Sequence, residues 1–170
     1  MPRPSLRLTG VFVGVVVVGL LIGWLLRSDD GAEVATVGMK APDFTVSLID
    51  GGEFTLSEEL AANNRTVVLN LWASWCIPCR TETPEISDFA RENPGVTVIG
   101  VAVEDTEDGS RAFAAEFAPS YLLAMGDEDF DDKYPRLGLP ATYIIDADGV
   151  IGELFNGIVT VETLEDLVFG

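Results

Sequence analysis

Two kinds of apolar pattern run along this chain. From Leu8 to Leu26 the sequence LTGVFVGVVVVGLLIGWLL carries no charge. As a helix those 19 residues span roughly 28 Å at about 1.5 Å per residue, close to a hydrocarbon core of about 30 Å. Beyond residue 40 the pattern breaks into short segments. Phe44 to Leu48 and Phe54 to Leu56 alternate apolar with polar around Asp50-Gly51-Gly52, which predicts a β-hairpin. Ser57 to Leu60 reads as a short helix with Ser57 as its N-cap. Val67 to Trp72 (VVLNLW) reads as a buried strand that runs straight into a helical pattern over 76–92, kinked by Pro84 and stopped by Asn93-Pro94-Gly95. A strand over 96–103, a helix over 110–117, a strand over 121–125 and a short helix over 128–136 follow. Strands over 142–146 and 150–155 flank the turn signal Asp148-Gly149, and a last helix runs from Thr160 to Val168. Strands interleaved with helices predict a mixed sheet covered on both faces.

The ends of the first apolar run differ in charge. Arg3 and Arg7 precede it and Asp29 and Asp30 follow it, while Trp24 sits where indoles favour an interface. These features predict a cytoplasmic N-terminus over 1–9, a transmembrane signal anchor over 10–27, a linker over 28–40 and an extracytoplasmic domain over 41–170. The competing reading is a cleaved signal peptide. In both readings the domain lies outside the cytoplasm.

Charge narrows the partners. After residue 28 there are 28 acidic and 7 basic side chains. Such a surface repels nucleic acid and anionic headgroups, and it suits either solubility or docking onto a basic partner. The absence of histidine removes Ser-His-Asp and Cys-His catalysis and any His-containing metal site. No cofactor and no metal are expected, and nothing in the chain asks for more than a monomer.

The chemistry rests on Cys76 and Cys79, the only cysteines. A strand that ends in C-x-x-C and continues as a helix puts the first cysteine at the helix N-terminus. Unpaired N–H groups and the positive end of the helix dipole stabilise a thiolate there. Cys79 is within reach for a disulfide. The first cysteine would attack a substrate disulfide, and the second would resolve the mixed disulfide. Pro78 removes a donor from the first turn, where donors are orphaned anyway. Trp72 and Trp75 flank the pair, to shield it or to touch a substrate. A structural disulfide, or half of a metal site shared with a second chain, is the bland alternative.

The stretch Trp72-Ala73-Ser74-Trp75-Cys76-Ile77-Pro78-Cys79-Arg80-Thr81-Glu82-Thr83-Pro84 resembles the W-x-x-W-C-x-P-C-R-x-E-x-P signature of membrane-anchored TlpA, ResA and CcmG/DsbE-like proteins. Lys40-Ala41-Pro42-Asp43-Phe44 is similar to the A-P-D-F opening of the redoxin superfamily, and Gly138 to Tyr143 is similar to its cis-proline segment. The resemblance covers about residues 38–170. It implies a thioredoxin-like α/β fold with an N-terminal hairpin and a central α-β insertion. It implies a cis Pro140 beside the cysteines, a Leu139 backbone that pairs with substrate, and a Glu82 that influences cysteine protonation. It also implies protein disulfides as substrates, apocytochrome c among them, and a membrane thiol as electron donor. Asn70 stands where thioredoxin has a buried aspartate, so Glu82 is the acid–base candidate. Ile77 departs from residues common in the family, and Pro140-Ala141 departs from the Pro-Glu of the CcmG/DsbE group.

Three other functions are weighed against a reductase. One is an oxidant or isomerase on the same scaffold. Another is a membrane-tethered Cu(I)-binding module, since two thiolates suit soft copper. The third is a peroxidase, which needs P-x-x-x-T/S-x-x-C where this chain has Leu69 and Ala73.

Overall fold

The computed structural model describes residues 34–170. The apolar run at 8–26 and its charged flanks lie outside the described residues. Among the described residues no helix is long and apolar enough to cross a membrane.

The elements are β1 (Thr45–Leu48), β2 (Glu53–Thr55), α1 (Leu56–Asn63), β3 (Val67–Trp72), α2 (Ile77–Glu92), β4 (Thr97–Ala102), α3 (Glu107–Phe117), β5 (Leu122–Met125), α4 (Glu128–Lys133), β6 (Ala141–Ile145), β7 (Ile151–Asn156) and α5 (Val161–Phe169). One seven-stranded sheet runs β2-β1-β5-β4-β3-β6-β7. β3, β4 and β5 are parallel neighbours, so their C-terminal ends share one edge. The remaining pairings are antiparallel. The β1–β2 hairpin turns through Gly51 and Gly52, whose φ values of 99° and 89° favour glycine.

Alternation along β3 sets the layers. Val67, Leu69 and Leu71 face one apolar cluster with Leu56 of α1 and Phe130 of α4. Val68 faces the other side, packed with Ile86 and Phe89 of α2 and Leu164 of α5. Trp72 joins Phe113 of α3 and both cysteines in a third cluster. The two-sided cover that the pattern predicts is present. It explains why all six residues of β3 are buried.

Several boundaries differ from the expectation. Residues 34–40, read as linker, are stitched to the body by backbone groups. Ala35 N–H donates to Lys133 O at 2.7 Å, Gly38 N–H donates to Ile151 O at 2.7 Å, and Lys40 bridges Val150. Thr55 rather than Ser57 takes the N-cap position of α1, with no side-chain capping bond, while Asp43 accepts from both Ser57 N–H (2.9 Å) and Ser57 Oγ (2.6 Å). α3 starts three residues early, capped by Thr106 Oγ1, which accepts from Gly109 N–H at 3.1 Å. α4 ends at Lys133, ahead of Pro135. α2 continues through Pro84, which offers no N–H to the Arg80 carbonyl.

Candidate active site

β3 ends in solvent-free surroundings and hands the chain to a tight turn. Ser74 is fixed there by Asp105 of the β4–α3 loop. Ser74 N–H and Oγ donate to its two carboxylate oxygens at 2.6 and 2.8 Å. Thr106 N–H and Ser110 Oγ donate to the same carboxylate at 2.8 and 3.0 Å. Burial alone would raise the Asp105 pKa. The four hydrogen bonds outweigh that and hold it below the ordinary carboxylate value.

Cys76 is the N-cap of α2, and its Sγ accepts from Cys79 N–H at 3.2 Å. The two cysteines are joined as a disulfide. Cys76 retains 3% exposure and Cys79 none. Pro78 occupies the first turn, as expected. Trp72 is buried with its ring centroid 4.2 Å from that of Phe113, and Arg80 lies over Phe113 and Phe117 at 5.6 and 5.0 Å. Trp72 is 2% exposed and sits in the cluster that holds both cysteines, a placement that fits shielding of the pair. Its indole N–H has no hydrogen-bond partner among the described residues. Gly100 makes room for that indole, since a Cβ there would lie 3.0 Å from Trp72 Nε1.

Trp75, by contrast, stands 58% exposed, and its Nε1 donates to Glu104 O at 3.1 Å. Ile77 is 76% exposed. The Leu139–Pro140 peptide is cis. β6 begins at Ala141, opposite Leu71, so Pro140 meets the end of β3. Leu139 packs against the cluster that holds both cysteines.

Beneath the disulfide, Glu82 is fully buried, one helical turn beyond Cys79. Its carboxylate accepts from Asn70 Nδ2 at 2.8 Å and from Val159 N–H at 3.0 Å, and Asn70 also donates to Thr142 Oγ1 at 3.1 Å. Desolvation raises its pKa to about 7, against the opposing pull of the Val159 and Asn70 hydrogen bonds.

Three residues near the pair were not singled out in the sequence. Asp105 and Glu104 sit in the acidic stretch between β4 and α3. Glu104 takes a left-handed φ of 51° and pairs with Arg136, which also pairs with Asp131. Leu137, next to Arg136, is 93% exposed. An apolar residue in a polar loop just before Gly-Leu-Pro was the available signal.

Residues 37–154 match the AhpC/TSA family. The thioredoxin-like protein YneN of Bacillus subtilis is 31% identical over 132 residues, 75% of this chain and 76% of that one. The thiol:disulfide interchange protein DsbE of Pseudomonas fluorescens is 31% identical over 134 residues, 76% and 73% of the two chains. Among solved structures, a secreted thiol-disulfide isomerase from Corynebacterium glutamicum superposes with a TM-score of 0.66 at 25% identity, covering 84% of this chain and 93% of the other. A thiol:disulfide interchange protein from Chlorobium tepidum gives 0.67 at 23% identity over 79% and 97%, a likeness of fold. A chain that shares this fold and this much sequence, with its two cysteines paired where β3 meets α2, belongs to the AhpC/TSA family and is a thioredoxin-like thiol–disulfide oxidoreductase.

Proposed function

We propose that the chain reduces disulfides of proteins outside the cytoplasmic membrane, anchored by residues 10–27 and recharged by a membrane thiol carrier. The observation that carries the reading is the buried Glu82, a carboxyl poised near neutrality one turn from the buried Cys79. In the reduced protein, Cys76 thiolate attacks one sulfur of a substrate disulfide. A mixed disulfide forms, and the other substrate sulfur leaves as thiolate. Cys79 thiol then passes its proton toward Glu82 carboxylate and attacks Cys76 Sγ. The Cys76–Cys79 bond forms and the second substrate sulfur is released. Two electrons have moved to the substrate. The donor reverses the sequence on the oxidised pair.

A buried base beside the resolving cysteine shortens the life of the mixed disulfide, which suits a reductase more than an isomerase. Anchoring and an outward domain follow from the charge asymmetry around the apolar run. The W-C-x-P-C-R-x-E-x-P resemblance supports apocytochrome c cysteines as one target.

The test is the reduction potential of the Cys76–Cys79 couple in the full chain, by equilibration with glutathione or dithiothreitol. A value near or below about −270 mV, thioredoxin's, is the expected result. A value near about −120 mV, that of a strong oxidant, overturns the reductase reading in favour of disulfide donation.

A further inference from the structure

The disulfide lies at the edge where β3, β4 and β5 end, and the loops leaving those strands concentrate charge. Residues 104–111 and 127–136 hold nine carboxylates and three cations. Each cation is already engaged within the cluster: Arg111 with Glu107, Lys133 with Asp129, and Arg136 with Glu104 and Asp131. Asp108, Glu128 and Asp132 are exposed and have no partner among the described residues.

These segments press against the redox turn. A Cβ on Gly109 would fall 2.6 Å from Ser74 Oγ, so the first turn of α3 abuts the loop that carries Trp75 and Cys76. Glu104, Asp131 and Arg136 line a groove of about 370 Å³ with Trp75 and Leu137, and Gly138 and Leu139 continue it toward Pro140. The rim is apolar, formed by Trp75 and Leu137, and the walls carry two carboxylates against one guanidinium. Solvated apolar side chains beside a reactive sulfur suit an apolar partner residue. The surrounding carboxylates favour cations and repel anions before contact is made.

We propose that this protein's substrates are cationic polypeptide segments. Each is an extended stretch with lysine or arginine residues around its disulfide and an apolar side chain that settles between Trp75 and Leu137. The inference rests on the reading of Cys76 as the attacking thiol of a reductase, and it adds the substrate class. Attack on the bound segment forms the Cys76–substrate disulfide and expels the substrate's other sulfur as thiolate. The surrounding carboxylates act on how often this encounter occurs.

The experiment uses the full chain, reduced, in a non-ionic detergent, against three disulfides. One is 2-hydroxyethyl disulfide, small and neutral. The others are two peptides with the same apolar residues and the same internal disulfide, one rich in lysine and one rich in glutamate. The expected result is a second-order rate constant at least about tenfold larger for the lysine peptide at low salt, converging to within about twofold near 1 M salt. The variant D108N/E128Q/D132N narrows the low-salt ratio. The variant E92Q/D148N, which neutralises two exposed carboxylates at the opposite ends of the strands, leaves it unchanged. Equal peptide rates, a salt-independent ratio, or equal narrowing by both variants overturns the inference while the reductase reading stands, provided the neutral disulfide is reduced. If the neutral disulfide is not reduced either, the reductase reading falls and takes this one with it.

Discussion

On the inner side of the Cys76–Cys79 bond, Asn70, Glu82 and Thr142 form a closed set of hydrogen bonds with almost no exposure. On the outer side, Trp75, Ile77 and Leu137 stand largely in solvent, with one indole hydrogen bond from Trp75 to the Glu104 carbonyl. The inner side places an ionisable group where desolvation shifts it toward neutrality, and that requires a rigid and dry setting. The outer side is apolar and exposed, carried on the turn before α2, on the first residue of that helix and on the loop before β6. The difference teaches that, on the proposed reading, proton handling and recognition fall on opposite sides of the disulfide. Each side is therefore open to change without the other.

The largest effect removes the boundary itself. Cys76→Ser is expected to lower turnover by about a thousandfold or more, since the attacking thiolate is gone. Cys79→Ser instead leaves attack intact and strands the mixed disulfide, seen as a covalent adduct by mass spectrometry under non-reducing conditions. A Cys79→Ser protein that turns over normally would sink the assigned order of attack. Next comes the inner side alone. Glu82→Gln is expected to slow resolution of the mixed disulfide by about tenfold to a hundredfold near neutral pH, and to flatten its pH dependence. It also alters stability in a defined direction. The folded pKa of about 7 lies above the unbound value of 4.5, so burial of Glu82 is tolerated best below pH 4.5. Its contribution is lost as pH rises through 7, a change on the order of 3 kcal/mol. Chemical denaturation of the oxidised wild type and of Glu82→Gln from pH 4.5 to 8 reads this as a slope present in the first and absent in the second. The smallest effect tests the outer side. Leu137→Ser is expected to change stability by no more than about 0.5 kcal/mol, because the side chain contacts mostly water. Its rate should drop a few-fold on peptide disulfides and stay unchanged on 2-hydroxyethyl disulfide. Equal loss on both would mean that the rim and the inner network are not separable.

The inner strands were readable from sequence because Val67 to Trp72 carries its own signal, a β-branched apolar run bounded by a turn. The cysteine placement followed from that strand and the helix after it. Glu82 was legible as a candidate. Its burial was not, since helical spacing puts it on the Cys79 face without saying what covers that face. Val159, 77 residues away, supplies the cover. Asp105 was hidden for the same reason, because its partner Ser74 lies 31 residues earlier. Ser57 lies inside α1 rather than at its cap, and Asp43 engages both of its polar groups. Residues 34–40 looked like a tether because their attachment is mostly backbone hydrogen bonding, with Ala35 and the Lys40 ammonium the side chains that join it, and no periodic side-chain pattern records such bonds.

That attachment also sets where the domain can be cut. Ala35 N–H bonds to Lys133 O, Gly38 N–H bonds to Ile151 O, and Lys40 bridges Val150, while Ala35 is buried in the core. A fragment that begins at residue 41 leaves those acceptors and the apolar surface under Ala35 open to water. One that begins at residue 34 keeps them covered, so the working boundary of the folded unit lies before Val34 and not at Ala41.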